Sequence, residues 1–215
     1  MPRKLHITHS EFPYHITART HAGQNWPLPI NLIWSLMSDY LYFIHFAFNV
    51  RIHSFVLMSN HFHLLASTPD ANLSEAMNYF MRETSKGINR MTSGEDQVYG
   101  GRYYRTLVSN LFYLNHVYKY VYRNPVEAGL SENCEDYIFS TLHGLIGRGR
   151  LTIPVVEDTC LFRGFTLDES TLQWLNTSPK KSHLEDLEKA LLRKELFFPL
   201  NRTNHKIHDL NFLAF

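Results

Sequence analysis

The feature that most constrains the fold is a pair of apolar, β-branched-rich runs, residues 50–58 and residues 61–67, separated by only two residues. Two such runs with so short a connection predict an antiparallel hairpin. Side chains alternate between the two faces of a strand, so His61 and His63 share one face and Phe62 lies on the other. The sequence therefore predicts a hairpin with one apolar face and one face that carries two imidazoles.

The segments around this hairpin alternate between strand and helix patterns. A strand rich in aromatic and β-branched residues is predicted at residues 12–20, and apolar residues at helical spacing follow over residues 33–44. A second helix begins near Asn72, a strand covers residues 103–108, and a third helix ends at Pro125. This order predicts an α+β fold, the ferredoxin-like βαββαβ split, with an added C-terminal helix that carries tyrosines.

The last part of the chain has a weaker pattern. Residues 168–175 are typical of a short helix, and Ser182 with Glu185 predicts the start of a charged one. We expect one domain over residues 1–150 and, over residues 151–215, a mostly helical extension packed on it, whose role the sequence does not indicate.

Composition narrows the class of protein. The 21 basic and 20 acidic side chains give a net charge of +1, which argues against a nonspecific polycationic coat for nucleic acid. The most apolar stretch, residues 28–48, is interrupted by Asp39 and other polar residues, so no membrane span is expected. The two cysteines, Cys134 and Cys160, are expected to be reduced thiols, which is typical of a cytosolic protein. The sequence therefore predicts a soluble cytoplasmic protein.

Two sets of side chains could carry chemistry. His61 and His63 are spaced to chelate one divalent cation, although two histidines on a half-exposed strand can equally be satisfied by water or a carbonyl group. On the third helix, Tyr120 lies beside the apolar stripe rather than in it, and Asn124 follows one turn later with an amide oxygen. A tyrosine, with a pKa of about 10, attacks a phosphodiester only with help from a cation. The alternative for Tyr120 is core packing.

Four runs occur together in order: Tyr-His-Ile-Thr-Ala-Arg at residues 14–19, Val-Leu-Met-Ser-Asn-His-Phe-His-Leu-Leu at residues 56–65, Gly-Arg-Tyr-Tyr-Arg at residues 101–105, and Tyr-Val-Tyr-Arg-Asn-Pro-Val-Glu-Ala-Gly-Leu at residues 120–130. In these four runs and their order, the chain resembles the single-tyrosine HUH transposases, and most of all their REP-associated tyrosine transposase branch. The resemblance covers residues 10–145. The segment at residues 20–29 lacks the Arg-Gly-Asn run usual in that branch.

The resemblance implies a metal-dependent enzyme that cleaves and rejoins single-stranded, often hairpin, DNA. His61 and His63 match the histidine pair that holds Mg²⁺ or Mn²⁺, Asn124 matches the polar ligand, and Tyr120 matches the nucleophile that forms a 5′-phosphotyrosine and frees a 3′-OH. Relatives act as monomers or homodimers, and both remain open for this chain.

Basic side chains outnumber acidic ones between residues 82 and 123. Phosphate contacts would position a DNA strand there, and Tyr103 or Tyr104 would stack on unpaired bases. The alternative for the helical stripe is a solvated face paired with Glu83. The predicted DNA contacts are Arg82, Lys86, Arg90, Arg102, Arg105 and Arg123.

Two other functions are compatible with the sequence. A domesticated protein would bind DNA hairpins with the same fold and transpose nothing. A zinc hydrolase built on His61 and His63 would need a third strong ligand and a nearby carboxylate base, and no Asp or Glu flanks the pair.

Overall fold

A four-stranded antiparallel sheet forms the centre of the computed structural model, in which residues 8–156 and 167–196 are described. The strand order across the sheet is β2-β3-β1-β4, and every neighbouring pair is antiparallel. This order confirms the predicted ferredoxin-like split, because two βαβ crossovers interleave to give it. The strands are β1 (Tyr14–Arg19), β2 (Arg51–Leu57), β3 (His61–Ser67) and β4 (Tyr104–Leu107).

Helices cover both faces of the sheet. The first two pack on one face, and the third packs on the other together with the later helices. Short 3-10 turns lie at His21–Gly23 and Cys134–Asp136. The helices are α1 (Ile30–Ala47), α2 (Leu73–Thr92), α3 (Leu111–Glu127), α4 (Thr141–Leu145), α5 (Glu169–Asn176) and α6 (Lys181–Leu191).

Alternation along β3 divides its side chains between two cores. Phe62 and Leu64 are fully buried in the core shared with α1 and α2. Leu65 is fully buried in the second core, beside α3. Burying a phenylalanine stabilises a fold by about 1.5–3 kcal/mol, so a one-residue slip of β3 is strongly disfavoured. His61 and His63 are thereby fixed on the α3 face of the sheet.

One helix begins where predicted but lacks its side-chain cap, and two other predicted helix ends lie elsewhere in the structure. The side chain of Asn72 precedes α2 but donates to the carbonyl of Phe48 (2.9 Å) instead of capping the helix. Ser182 lies inside the first turn of α6, whose N-cap is Lys180. Helix α3 continues through Pro125, because a proline close to a helix C-terminus removes only one backbone donor.

The described residues 167–196 pack on α3 and along the edge of the sheet. Helices α5 and α6 contribute buried leucines to the core beside α3. The segment after α6 runs beside β4, where the backbone N–H of Leu107 donates to the carbonyl of Lys194 (2.9 Å) and its carbonyl accepts from Leu196 (2.8 Å).

Cys134 is a buried free thiol, and Cys160 lies outside the described residues. In the described ranges we find no helix long and apolar enough to cross a bilayer.

Candidate active site

The two predicted metal-ligand histidines lie side by side at the start of β3, where His61 is half-buried and His63 is buried. Nε2 of His61 is 3.1 Å from Nε2 of His63. Two ligand nitrogens in adjacent positions of an octahedral ion, each at about 2.1 Å, are separated by about 3.0 Å. The pair therefore has the spacing needed to bind one divalent cation.

The remaining ring nitrogens of the pair face hydrogen-bond partners that set their protonation. Nδ1 of His61 lies 2.7 Å from the side-chain oxygen of Asn60, which can only accept, so this nitrogen carries the hydrogen. Asn60 is held in this orientation because its amide group donates to the carbonyl of Gly23 (2.8 Å). Nδ1 of His63 lies 2.9 Å from Nε2 of His15. Both rings can thus hold a hydrogen on Nδ1 and direct the Nε2 lone pair to one point, which fits a metal site.

His15 and Asn60 are site residues that the sequence did not reveal. His15 is 3% exposed and lies on β1, where Thr17 is opposite His63 in the strand register. The alternation of residues 14–19 indicates that His15 shares a face with Thr17. Its proximity to His63 depends on which strand pairs with β3, and local sequence does not determine that pairing.

Burial keeps the imidazoles of the site uncharged. Burial lowers the pKa of His15 to about 4, and repulsion from His61 in its protonated form adds to the effect. Burial also lowers the pKa of His61 to about 4, and the positive charge of Arg19 adds to that effect. The pKa of His63 is lowered well below its usual value, mainly by burial and also by His15, His61 and Arg19. At neutral pH the lone pairs are consequently available to a ligand.

The ring of Tyr120 lies edge-on to the imidazoles of His63 and His15. Its centroid is 5.5 Å from that of His63 and 5.9 Å from that of His15. Burial, with a contribution from Glu188 of α6, raises the pKa of Tyr120 to about 12, and hydrogen bonding by Asn124 opposes the rise. The structure therefore places the predicted nucleophile directly beside the predicted ligand pair.

The packing of α3 explains which tyrosine faces the site. Tyr118 and Tyr122 pack against each other with centroids 4.7 Å apart and are 5% and 0% exposed, as predicted for packing residues. Tyr120, between them in sequence, faces the sheet beside the imidazoles. Asn124 lies one turn later, and its amide nitrogen donates to the carbonyl of Tyr120 (2.8 Å). Its role as a third ligand stays a prediction.

The predicted DNA contacts on α2 lie far from the histidine pair. Arg82, Lys86 and Arg90 are exposed, but α2 packs on the face of the sheet opposite His61 and His63. Both Arg82 (2.8 Å) and Lys86 (3.1 Å) pair with Glu83, the partner that the solvated-face alternative named.

The arginines outside α2 differ in position. Arg102 is exposed. Arg105 faces α2, donates to the hydroxyl of Ser74 (3.2 Å) and stacks over the ring of Tyr14.

Arg123 requires a correction, because its side chain is 4% exposed. It pairs with Glu127 (2.7 Å) and donates to the carbonyls of Leu175 (3.0 Å) and Asn176 (2.8 Å). Its guanidinium group ties α3 to α5 and is enclosed by the chain. The sequence offered no sign of this role, since α5 is about 50 residues away along the chain.

Within residues 8–156 and 167–196, no group of three or more His, Cys, Asp or Glu side chains is arranged to hold a metal ion. The zinc hydrolase alternative, which needs a third strong ligand, gains no support there.

Comparisons with known proteins identify the family of the chain. A structure of the REP-associated tyrosine transposase bound to a REP hairpin is 19% identical, covers 74% of this chain and 93% of its own, and superposes with a TM-score of 0.57. A putative transposase from Deinococcus radiodurans is 13% identical over 56% of this chain and 95% of its own, with a TM-score of 0.39. No curated protein matches the chain. The profile of the family "Transposase IS200 like" matches residues 10–124, and the chain belongs to this family of transposases.

Proposed function

We propose that this transposase cleaves and rejoins single-stranded DNA through a covalent 5′-phosphotyrosine on Tyr120. The observation that carries the proposal is the contact of Tyr120 with His63, whose Nε2 is 3.1 Å from that of His61. A nucleophile beside a pair of convergent lone pairs is the arrangement that phosphodiester cleavage requires.

His61 and His63 would hold Mg²⁺ or Mn²⁺, and the amide oxygen of Asn124 is the proposed third ligand. The ion would neutralise the non-bridging oxygens of the scissile phosphate and polarise the phosphorus atom. Asn60 and His15 would orient the two rings by accepting their Nδ1 hydrogens.

Tyr120 then performs the substitution at phosphorus. Its oxygen forms a bond to the phosphorus, the bond to the 3′-oxygen breaks, and that oxygen leaves with a proton as a free 3′-OH. The phosphotyrosine link conserves the bond energy, so a 3′-OH can attack it and restore the strand. Burial raises the pKa of Tyr120 to about 12, so its hydroxyl is protonated at neutral pH and gives up this proton as its oxygen bonds to the phosphorus, while the leaving 3′-oxygen takes one up.

The proposed substrate is a single strand that carries a hairpin. The REP-associated relative with the same fold was solved bound to a REP hairpin. In this chain, Arg102 is an exposed cation that precedes β4, and the stripe Arg82, Lys86 and Arg90 supplies a second basic surface behind the sheet. Phosphate contacts at these positions would orient the strand without reading its sequence.

Covalent capture tests the proposal. The protein is incubated with Mn²⁺ and a pool of single-stranded oligonucleotides that carry a fixed hairpin and randomised flanks, and denatured adducts are recovered and sequenced. We expect adducts with the wild type and with Tyr118→Phe, the matched control on the same helix, and none with Tyr120→Phe. An adduct that persists in Tyr120→Phe contradicts the nucleophile assignment. Hairpin binding without any adduct in the wild type would instead support the domesticated binding protein.

The metal role is tested separately. We expect the double substitution of His61 and His63 by alanine, and equally the addition of a chelator, to abolish adduct formation while the protein stays folded. Cleavage that continues unchanged under chelator would contradict the metal role.

A further inference from the structure

Two exposed side chains, those of Arg19 and Tyr104, flank the histidine pair on the α3 face of the sheet. Arg19 ends β1 and lies directly opposite His61 in the strand register. Tyr104 begins β4, opposite Thr17, and Thr17 is in turn opposite His63. Directly opposed residues point to the same side of a sheet, so both side chains share the face of the histidines.

The neighbours of Tyr104 confirm this orientation. Arg105 contacts Ser74 of α2, and Thr106 donates to the carbonyl of Leu191 at the end of α6 (2.6 Å). Because side chains alternate along β4, Tyr104 shares the face of Thr106 and not that of Arg105. Its side chain is nevertheless 68% exposed, whereas Tyr103 packs against the core of α1 and α2.

Arg19 has the properties of a phosphate contact. Its side chain is exposed, and within the described residues it makes no hydrogen bond or ion pair. It is close enough to the site for its charge to act on both His61 and His63. A guanidinium group binds two phosphate oxygens at once, and the Cα atom of Arg19 lies about 5 Å from that of His61, its partner in the strand register.

The spacing of the two side chains fits one nucleotide unit. Tyr104 lies two strand spacings, about 10 Å, from His63 across the sheet, so its ring can reach a base attached near a phosphate held at the histidines. Stacking on an exposed aromatic ring is the common mode by which unpaired bases are held.

We propose that Arg19 and Tyr104 form a subsite for the unpaired nucleotide next to the scissile phosphate, with Arg19 on a phosphate oxygen and Tyr104 stacked on the base. The subsite rests on the proposed function for its position along the DNA strand. It takes single-stranded DNA, since the bases of a duplex are already stacked on each other.

Binding of a twelve-residue thymidine oligonucleotide with one central 2-aminopurine tests the subsite in a Tyr120→Phe background, which prevents cleavage. We expect Tyr104→Ala to weaken binding about 5- to 150-fold and to reduce the quenching of 2-aminopurine fluorescence, while Tyr104→Trp retains both. Arg19→Ala should weaken binding and lower the slope of log affinity against log salt by about 0.7, while Arg19→Lys keeps the slope. The controls are Tyr42→Ala and Arg150→Ala; both residues are exposed, Tyr42 lies on α1, and Arg150 lies near it.

The outcome distinguishes this subsite from the proposed cleavage. If Tyr104→Ala and Arg19→Ala change affinity by less than twofold, or no more than the two controls do, the subsite is wrong even when the wild type forms covalent adducts. If both substitutions weaken binding but the wild type forms no adduct, the subsite holds and the proposed cleavage fails.

Discussion

Replacing His15 by phenylalanine removes the acceptor that faces Nδ1 of His63 and keeps a ring of similar size. Because His15 is 3% exposed, no water is expected to replace the lost partner at 2.9 Å. A buried donor left without a partner costs about 1–3 kcal/mol. Loss of a residue that orients a metal ligand typically lowers metal affinity 10- to 100-fold. We therefore expect folded protein whose Mn²⁺ dissociation constant is higher by one to two orders of magnitude.

The assay is Mn²⁺ titration of the protein without DNA, followed by electron paramagnetic resonance of the free ion. The matched control is His53→Phe. His53 is 2% exposed and bonds to the hydroxyl of Ser67 (2.9 Å), which ends β3 at the opposite end of the strand from His61 and His63. It should lose a similar amount of stability in urea unfolding and keep its Mn²⁺ affinity. Equal Mn²⁺ affinity in wild type and His15→Phe, or equal losses in both variants, would refute the reasoning.

Three further outcomes follow from packing and charge. Arg123→Met should lower the free energy of unfolding by about 1–3 kcal/mol in urea titration, because the carbonyl groups of Leu175 and Asn176 lose their donor. The control substitution Arg102→Ala, at an exposed residue, should leave the free energy of unfolding unchanged. Equal stabilities of the two variants would contradict the role of Arg123 in joining α3 to α5. Phe62→Ala should cost about 3–5 kcal/mol by the same measurement, and a loss below 1 kcal/mol would place Phe62 outside the core. Burial, with the charges of Lys119 and His183, lowers the pKa of His116 to about 4, below its value near 6.5 in the unfolded chain. This shift contributes up to about 3 kcal/mol to the free energy of unfolding above pH 6.5, and the contribution is lost as the pH falls toward 4. His116→Gln should therefore flatten the dependence of the free energy of unfolding on pH between 4 and 6.5. An unchanged dependence would contradict the lowered pKa of His116.

Local patterns predicted most of the architecture. The short connection after residue 58 and the alternation of the following residues predicted the hairpin and the shared face of His61 and His63. Helical spacing separated Tyr120 from Tyr118 and Tyr122. These features depend on residues within a few positions of each other, so they are visible in one sequence.

The parts that could not be predicted depend on long-range pairing. His15 reaches His63 because β1 lies beside β3, and Arg123 is buried because α5 docks on α3. An arginine in a helix has the same local pattern whether its partner is a phosphate or a distant backbone carbonyl. The position of α2 on the opposite face likewise separated the stripe that begins at Arg82 from the histidine pair.

The central claim is that Tyr120 becomes covalently linked to DNA. Peptide mass spectrometry of the captured adduct, after digestion of both protein and DNA, tests it most directly. We expect a single nucleotide-bearing peptide with the modification on Tyr120, formed only when Mg²⁺ or Mn²⁺ is present. Modification of Tyr118, Tyr122 or a serine instead, or adduct formation without a divalent ion, would contradict it.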